Sequence, residues 1–157
     1  MTINAFVSFK SEDQGARDAL TNSPELSRVS FISYPNTAPW DNTWQDTCRE
    51  ILSLTFGTIV LVGKNSHHST PITWEISETI RLGKRILGVQ IDPTTIHPIP
   101  DGLRPELVVN WNPHWISREI EAWRSAPPTQ QELSRPAESQ TSAQASYRRP
   151  TGELNER

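Results

Sequence analysis

A continuous aliphatic run at residues 57–63, with the sequence GTIVLVG, constrains the fold of this chain more than any other feature. Its side chains lack the apolar–polar alternation of a strand that has one face in water. A second run of this kind, RILGVQI at residues 85–91, follows a helical period. Such runs are typical of strands in a parallel sheet whose two faces are both covered by helices. The centre of the chain is therefore expected to form buried parallel strands.

The rest of the chain alternates between strand and helix patterns in a way that predicts the whole topology. The order is β-α-β-α-β-α-β-loop-β-α, which favours an α/β fold of the flavodoxin-like type: three layers, with a five-stranded parallel sheet and helices on both faces. Such folds bind ligands at the carboxyl ends of the strands, here after Phe9, Tyr34 and Gly63. The further strands are predicted at 4–9, 28–34 and 107–111, and the helices at about 14–21, 44–54, 71–82 and 113–124.

The apolar residues are unevenly distributed, which indicates one domain followed by a tail. The chain has 157 residues, and only six of the 31 residues from 127 to 157 are apolar. So few apolar side chains cannot offset the conformational entropy of folding. A domain over residues 1–126 and a disordered C-terminal tail over 127–157 are therefore expected.

Composition removes several classes of function. The net charge of −3 is a poor match for a nucleic-acid-binding face, and no run is long enough to span a membrane. The amino terminus has no signal-peptide pattern, and the single cysteine, Cys48, fits a reducing compartment. We expect a cytoplasmic protein with no membrane or nucleic-acid partner, in which Cys48 is a small buried hydrophobe.

Common catalytic motifs are absent from the sequence. Neither a dinucleotide fingerprint nor a P-loop is present, and there is no nucleophile elbow or H-E-x-x-H motif. The third strand ends without the aspartate that a phospho-accepting receiver needs. His67 and His68 have no third metal ligand at a suitable spacing, so we expect a polar loop and no metal site.

The helix after the aliphatic run has well-marked ends. Thr70 can cap its amino end, Pro71 suits the first helical position, and Gly83 is placed to end it. This helix therefore begins close to the strand ends where a ligand would bind.

One carboxylate lies at the margin of the buried face of this helix. At 100° per residue, a stripe of three isoleucines faces the sheet, Glu75 borders it in the first turn, and Glu78 turns toward solvent. The helix amino end should favour an ionised Glu75. From the residues alone, Glu75 either stabilises its own helix or serves as a site carboxylate. The stripe consists of Ile72, Ile76 and Ile80.

Two short segments resemble a known family. The first is FVSF-x-x-x-D at residues 6–13, and the second is STPITWEI at 69–76, followed by LGKRI at 82–86. Together they resemble the TIR-like domains of bacterial Thoeris anti-phage systems, over about residues 3–125. The order of the two segments along the predicted fold agrees with that family.

The resemblance implies an enzyme that takes NAD⁺ as its substrate, with no further cofactor. It would cleave the nicotinamide–ribose bond and produce an ADP-ribose-derived signal nucleotide for a downstream effector. By position, Glu75 matches the catalytic glutamate of the family. Trp74 directly precedes it, whereas many TIR enzymes have a tryptophan several residues earlier, which leaves the role of Trp74 open.

The chemistry suits these residues. Nicotinamide leaves as a neutral molecule, so the oxocarbenium-like ribose is the group that needs stabilisation, which one carboxylate can supply. An aromatic wall would hold the cationic ring. The candidates are Phe9, Tyr34, Trp40 and Trp74 for that wall, and Ser8, Lys10 and Arg17 for the diphosphate.

Each of these residues also has a simpler interpretation. Arg17 is equally consistent with a solvated helix charge, and Ser8 with a small residue required by packing. Trp40, in a proline-containing loop, fits either a lid or a contact between subunits of a homo-oligomer.

Two other functions stay open from the sequence. A TIR-type adaptor would signal by self-assembly without catalysis, and a flavodoxin-like module would bind a nucleotide without turning it over.

Overall fold

The structure, a computed structural model, describes residues 2–34 and 43–125. Within these ranges strands and helices alternate in the predicted order. The predicted tail at 127–157 and Trp40 lie outside the described residues. No helix in the described part of the chain is long and apolar enough to cross a membrane. The strands are β1 (Ile3–Ser8), β2 (Val29–Ile32), β3 (Gly57–Val62), β4 (Arg85–Gln90) and β5 (Val108–Val109), and the helices are α1 (Gln14–Thr21), α2 (Trp44–Ser53), α3 (Thr70–Arg81) and α4 (Pro113–Ser125).

All five strands form one parallel sheet in the order β2-β1-β3-β4-β5. The flavodoxin-like prediction is therefore confirmed. β3 lies at the centre, and its register places Val60 beside Ser8, the last residue of β1. The predicted last strand is too long, because Leu107 belongs to a 3₁₀ turn over Pro105–Leu107 and only Val108–Val109 pairs with β4.

Helices cover both faces of the sheet, because alternate residues of each strand point to opposite sides. Every residue of β3 is buried. Ile59 and Leu61 belong to a core shared with α1 and α4, whereas Val60 and Val62 pack with α3. On β1, Phe6 joins a third cluster with residues of α2. One face therefore carries α1 and α4, and the other carries α2 and α3.

The ends of α3 follow the predicted scheme with two changes at the amino end. The helix begins at Thr70, so Pro71 is its second residue and not its first. The amino-terminal cap is Ser69 and not Thr70: the Ser69 hydroxyl oxygen accepts a hydrogen bond from the Ile72 N–H at 3.2 Å. At the other end Gly83 has φ of +71°. The Lys84 and Gly83 N–H groups bond to the carbonyls of Thr79 and Ile80, which completes a Schellman motif.

Replacing Gly57 with alanine is expected to destabilise the fold. The added Cβ would lie 2.5 Å from the Arg85 carbonyl oxygen and 2.8 Å from the Trp123 ring, and the carbonyl is fixed within the sheet. Overpacking of this kind costs about 1–3 kcal/mol of the free energy of unfolding. Urea unfolding followed by circular dichroism measures it.

Gly15→Ala is the matched control. A Cβ at Gly15 meets nothing within 4 Å, and alanine is a better helix former than glycine. Its free energy of unfolding should be unchanged or raised. Equal stability of the two variants would contradict the close approach at Gly57.

Candidate active site

Glu75 lies on the inner side of α3, against the carboxyl end of β1. Its side chain is buried, with 4% of the residue exposed. The Ser8 hydroxyl donates a hydrogen bond of 2.5 Å to Glu75 Oε1. Ser8 ends β1 and points to the same side of the sheet as Phe6, since both are even-numbered positions of one strand. The structure thus brings together the two polar residues that the sequence placed in separate motifs.

The second carboxylate oxygen of Glu75 faces α2. The Cys48 thiol donates to Glu75 Oε2, with 3.6 Å between sulfur and oxygen. Cys48 is completely buried, as expected, but its contact with Glu75 was not predicted. Cys48 lies one turn after Trp44 and one turn before Leu52 on α2, so these three residues share one face of the helix.

Buried hydroxyls fix the position of α3 over β3. The Thr79 hydroxyl donates to the Glu75 backbone carbonyl at 2.7 Å. Thr58 Oγ1, on β3, lies 2.7 Å from Thr79 Oγ1. Since Thr79 uses its one hydroxyl proton on Glu75, Thr58 is the donor of this pair. The turn of α3 that carries Glu75 is therefore tied directly to the central strand.

Burial dominates the ionisation of Glu75. Desolvation raises its pKa from the ordinary 4.5 to about 7, although the hydrogen bonds from Ser8 and Cys48 lower it. The expectation that the helix amino end would keep this group ionised is wrong, because Glu75 is the sixth residue of α3 and loses its hydration. Burial also raises the pKa of the Cys48 thiol, and the Glu75 carboxylate raises it further. The thiol therefore keeps its proton and acts as a donor.

Glu78 does not turn toward solvent as predicted. Only 6% of the residue is exposed, and its carboxylate accepts a 2.9 Å hydrogen bond from Arg49 Nε of α2. Arg81, one turn further along α3, donates to the same carboxylate. These guanidinium groups hold the pKa of Glu78 below its ordinary value. Glu78 is buried because it is paired, whereas Glu75 is buried without a cation in hydrogen-bond contact among the described residues.

Aromatic side chains belong to the same buried cluster as Cys48, the residue that contacts Glu75. The Trp44 ring makes edge contacts with Tyr34 at 6.3 Å and with Trp74 at 5.0 Å between centroids. The Arg49 guanidinium lies over the Trp74 ring, 5.5 Å from its centroid. Of the predicted aromatic candidates, Tyr34 and Trp74 each contact the Trp44 ring. The structure adds Trp44, the first residue of α2, which was not among those candidates.

Phe9, Lys10 and Arg17 make no hydrogen bond to the Glu75 carboxylate, whose partners are Ser8 and Cys48. Phe9 packs against the core on the α1 and α4 face, which is the opposite side of the sheet. Lys10 follows it, half-buried, in the loop after β1. Arg17 on α1 places Nη2 3.5 Å from the Ser33 hydroxyl, and its Nε is buried without a hydrogen-bond partner. Trp40 falls outside the described residues.

A groove of about 300 Å³ runs along the amino-terminal half of α3. The His67 and His68 rings stand 3.9 Å apart beside it. Within residues 2–34 and 43–125, no three histidine, cysteine or acidic side chains are placed to hold a metal. Trp74 lines this groove and directly precedes Glu75 in the sequence. The lining residues are His67, His68, Ser69, Thr70, Thr73, Trp74, Ser77 and Asp101.

Comparison with known proteins gives a family and a fold. The family described as "Thoeris protein ThsB, TIR-like domain" matches residues 6–96. No curated protein matches the sequence. The TIR domain of the Toll-related receptor TRR-2 from Hydra magnipapillata is 12% identical with a TM-score of 0.55, over 79% of this chain and 94% of that chain. The TIR domains of the activated Roq1 resistosome, which directly recognizes the effector XopQ, are 15% identical with a TM-score of 0.46, over 77% and 72%. The receptor domain shares the fold.

Raising the pH should stabilise Glu75→Gln relative to the wild type. In the unfolded chain Glu75 loses its proton near pH 4.5, whereas in the folded protein it keeps the proton until about pH 7. Between these values the folded state binds more protons, so the wild-type free energy of unfolding falls as the pH rises. Glu75 accounts for a loss of about 3 kcal/mol across this window, which glutamine removes.

Urea unfolding of both proteins at about pH 4.5 and pH 7.5 measures this difference. Other titrating groups cancel when the two proteins are compared at each pH. A difference between them that stays constant with pH would contradict the raised pKa.

Proposed function

This chain belongs to the family of Thoeris ThsB TIR-like domains, and on that premise we propose that it is an NAD⁺-consuming enzyme. It cleaves the nicotinamide–ribose bond and releases an ADP-ribose-derived signalling nucleotide. A downstream effector senses that product in the cytoplasm as part of anti-phage defence. The chain requires no cofactor besides this substrate.

The observation that carries the proposal is the placement of the Glu75 carboxylate. It lies where α3 meets the carboxyl end of β1, the edge at which folds of this type bind ligands. A carboxylate held by hydrogen bonds at both oxygens is oriented before the substrate arrives. Such preorganised charge is the main source of stabilisation for a developing cation.

The reaction needs no general acid. The nicotinamide ring leaves with the electron pair of the C–N bond and becomes neutral, while the ribose C1 becomes an oxocarbenium-like centre. The ionised Glu75 stabilises that positive charge. Water or another hydroxyl or amine acceptor then attacks C1 and loses its proton to solvent.

The surroundings of Glu75 fit this substrate. The Trp44 and Trp74 rings offer aromatic surface for a flat cationic ring. The adjoining groove of about 300 Å³ has room for part of a dinucleotide. Trp74 lines this groove and directly precedes Glu75 on α3, while the Glu75 side chain itself faces the sheet and is buried.

Glu75→Gln should abolish nicotinamide release while the fold is retained. Glutamine keeps the size of the side chain and can accept from Ser8, but it carries no negative charge. Loss of a preorganised charge of this kind lowers the rate by about 100-fold or more. Chromatography of NAD⁺ incubated with concentrated protein measures nicotinamide and identifies the second product.

Glu78→Gln is the matched control, because Glu78 lies on the same helix, is also buried and undergoes the same change. It loses part of its pairing with Arg49 and Arg81, so its free energy of unfolding should fall while nicotinamide release persists. Wild-type activity in Glu75→Gln would refute the site assignment.

One observation favours a second candidate, a non-catalytic TIR-type adaptor that acts by self-assembly into a homo-oligomer. The Glu75 side chain is closed off from solvent, as a structural carboxyl group would be. In that case Trp40→Ala impairs defence in phage-challenged cells, whereas Glu75→Gln does not. For the enzyme, Glu75→Gln alone is sufficient to abolish defence.

A further inference from the structure

We propose that Cys48 is a positioning residue for the reaction, whose thiol holds Oε2 of Glu75 and fixes the orientation of the carboxylate. This inference rests on the proposed function. The only cysteine of the chain would then do more than pack in the core.

The geometry places the two donors on different elements. Ser8 approaches Oε1 from the end of β1, and Cys48 approaches Oε2 from the middle of α2. A carboxyl group with one donor can still rotate about its last side-chain bond, whereas a second donor on the other oxygen fixes its plane. Because α2 and β1 are separate elements, Glu75 is held from two sides.

The thiol suits a carboxylate that must remain reactive. Sulfur is a weak donor, so it orients Oε2 without stabilising the anion as strongly as a hydroxyl or a cation would. Its proton is secure, since burial and the adjacent Glu75 raise the pKa of the thiol. Complete burial also keeps Cys48 away from oxidants and metals in solution.

Among the polar groups near the Glu75 carboxylate, Cys48 is the one that α2 contributes. From β1 the facing group is Ser8, and on α3 itself the next acidic residue, Glu78, is engaged with Arg49 and Arg81. Burial and the hydrogen bonds from Ser8 and Cys48 are the influences on the pKa of Glu75. Removing the thiol should therefore change the ionisation of Glu75.

The test compares Cys48→Ala with Cys48→Ser in the full chain. The side-chain carboxyl carbon of Glu75, assigned by its absence in Glu75→Gln, is titrated by ¹³C NMR. In Cys48→Ala, the titration midpoint of the Glu75 carboxyl group should rise by about one pH unit. At a pH below the midpoint, roughly tenfold less Glu75 is then ionised than in the wild type. Serine, a stronger donor, should return the midpoint to the wild-type value or below. The acid limb of nicotinamide release should shift in the same direction in each variant.

Leu52→Val is the control for packing, because Leu52 shares the buried cluster with Cys48 and makes no hydrogen bond to Glu75. It should lower stability and leave the midpoint in place. The proposal is overturned if Cys48→Ala leaves the midpoint unchanged, or if Leu52→Val moves it as far. Should alanine prevent folding, a midpoint in Cys48→Ser that lies above the wild-type value overturns it equally.

The two readouts separate this proposal from the proposed function. The carboxyl titration does not depend on turnover, so shifted midpoints without any nicotinamide release would refute the enzyme and leave the contact established. Nicotinamide release with unshifted midpoints would refute the role of Cys48 alone.

Discussion

Covering both faces of β3 is the constraint on which the rest of this structure depends. Its side chains alternate between two cores, so helices must lie on both sides of the sheet. The chain places α2 and α3 together on one side. That is the side toward which Ser8 points, and the hydroxyl, the Cys48 thiol and the Glu75 carboxylate meet there as a result. The candidate site follows from how the sheet is covered.

Burial of Glu75 lowers the stability of the fold near neutral pH, because the folded protein holds a carboxyl group without its hydration. A carboxylate in water interacts only weakly with nearby charges, because water screens it. When it is ionised, the buried group interacts more strongly with nearby charges. The same burial raises its pKa to about 7. Glu78 is also buried, but the guanidinium groups of Arg81 and Arg49 lower its pKa and keep it ionised. Two acidic residues three positions apart thus have opposite electrostatic environments.

Much of the fold could be predicted from the sequence, because its signals are local. The stripe of Ile72, Ile76 and Ile80, the glycine after α3 and the two aliphatic runs each report on their own segment. The burial of Glu78 could not be predicted, because it depends on Arg49 from another helix. The burial of Cys48 was predicted, but its contact with Glu75 could not be, because that contact depends on the packing of α2 beside α3. The choice between Ser69 and Thr70 as cap depends on backbone angles at one residue.

The Arg49 side chain joins α2 to α3, since it lies over the Trp74 ring and is hydrogen-bonded to Glu78. The same helix, one position earlier, supplies the thiol that contacts Glu75. Two neighbouring residues of α2 therefore contact two neighbouring residues of α3. The Arg49 guanidinium lies over the Trp74 ring, and the Cys48 thiol donates to the Glu75 carboxylate. A displacement of α2 along its axis would change both contacts at once. The position of this one helix therefore determines the surroundings of both the Trp74 ring and the Glu75 carboxylate.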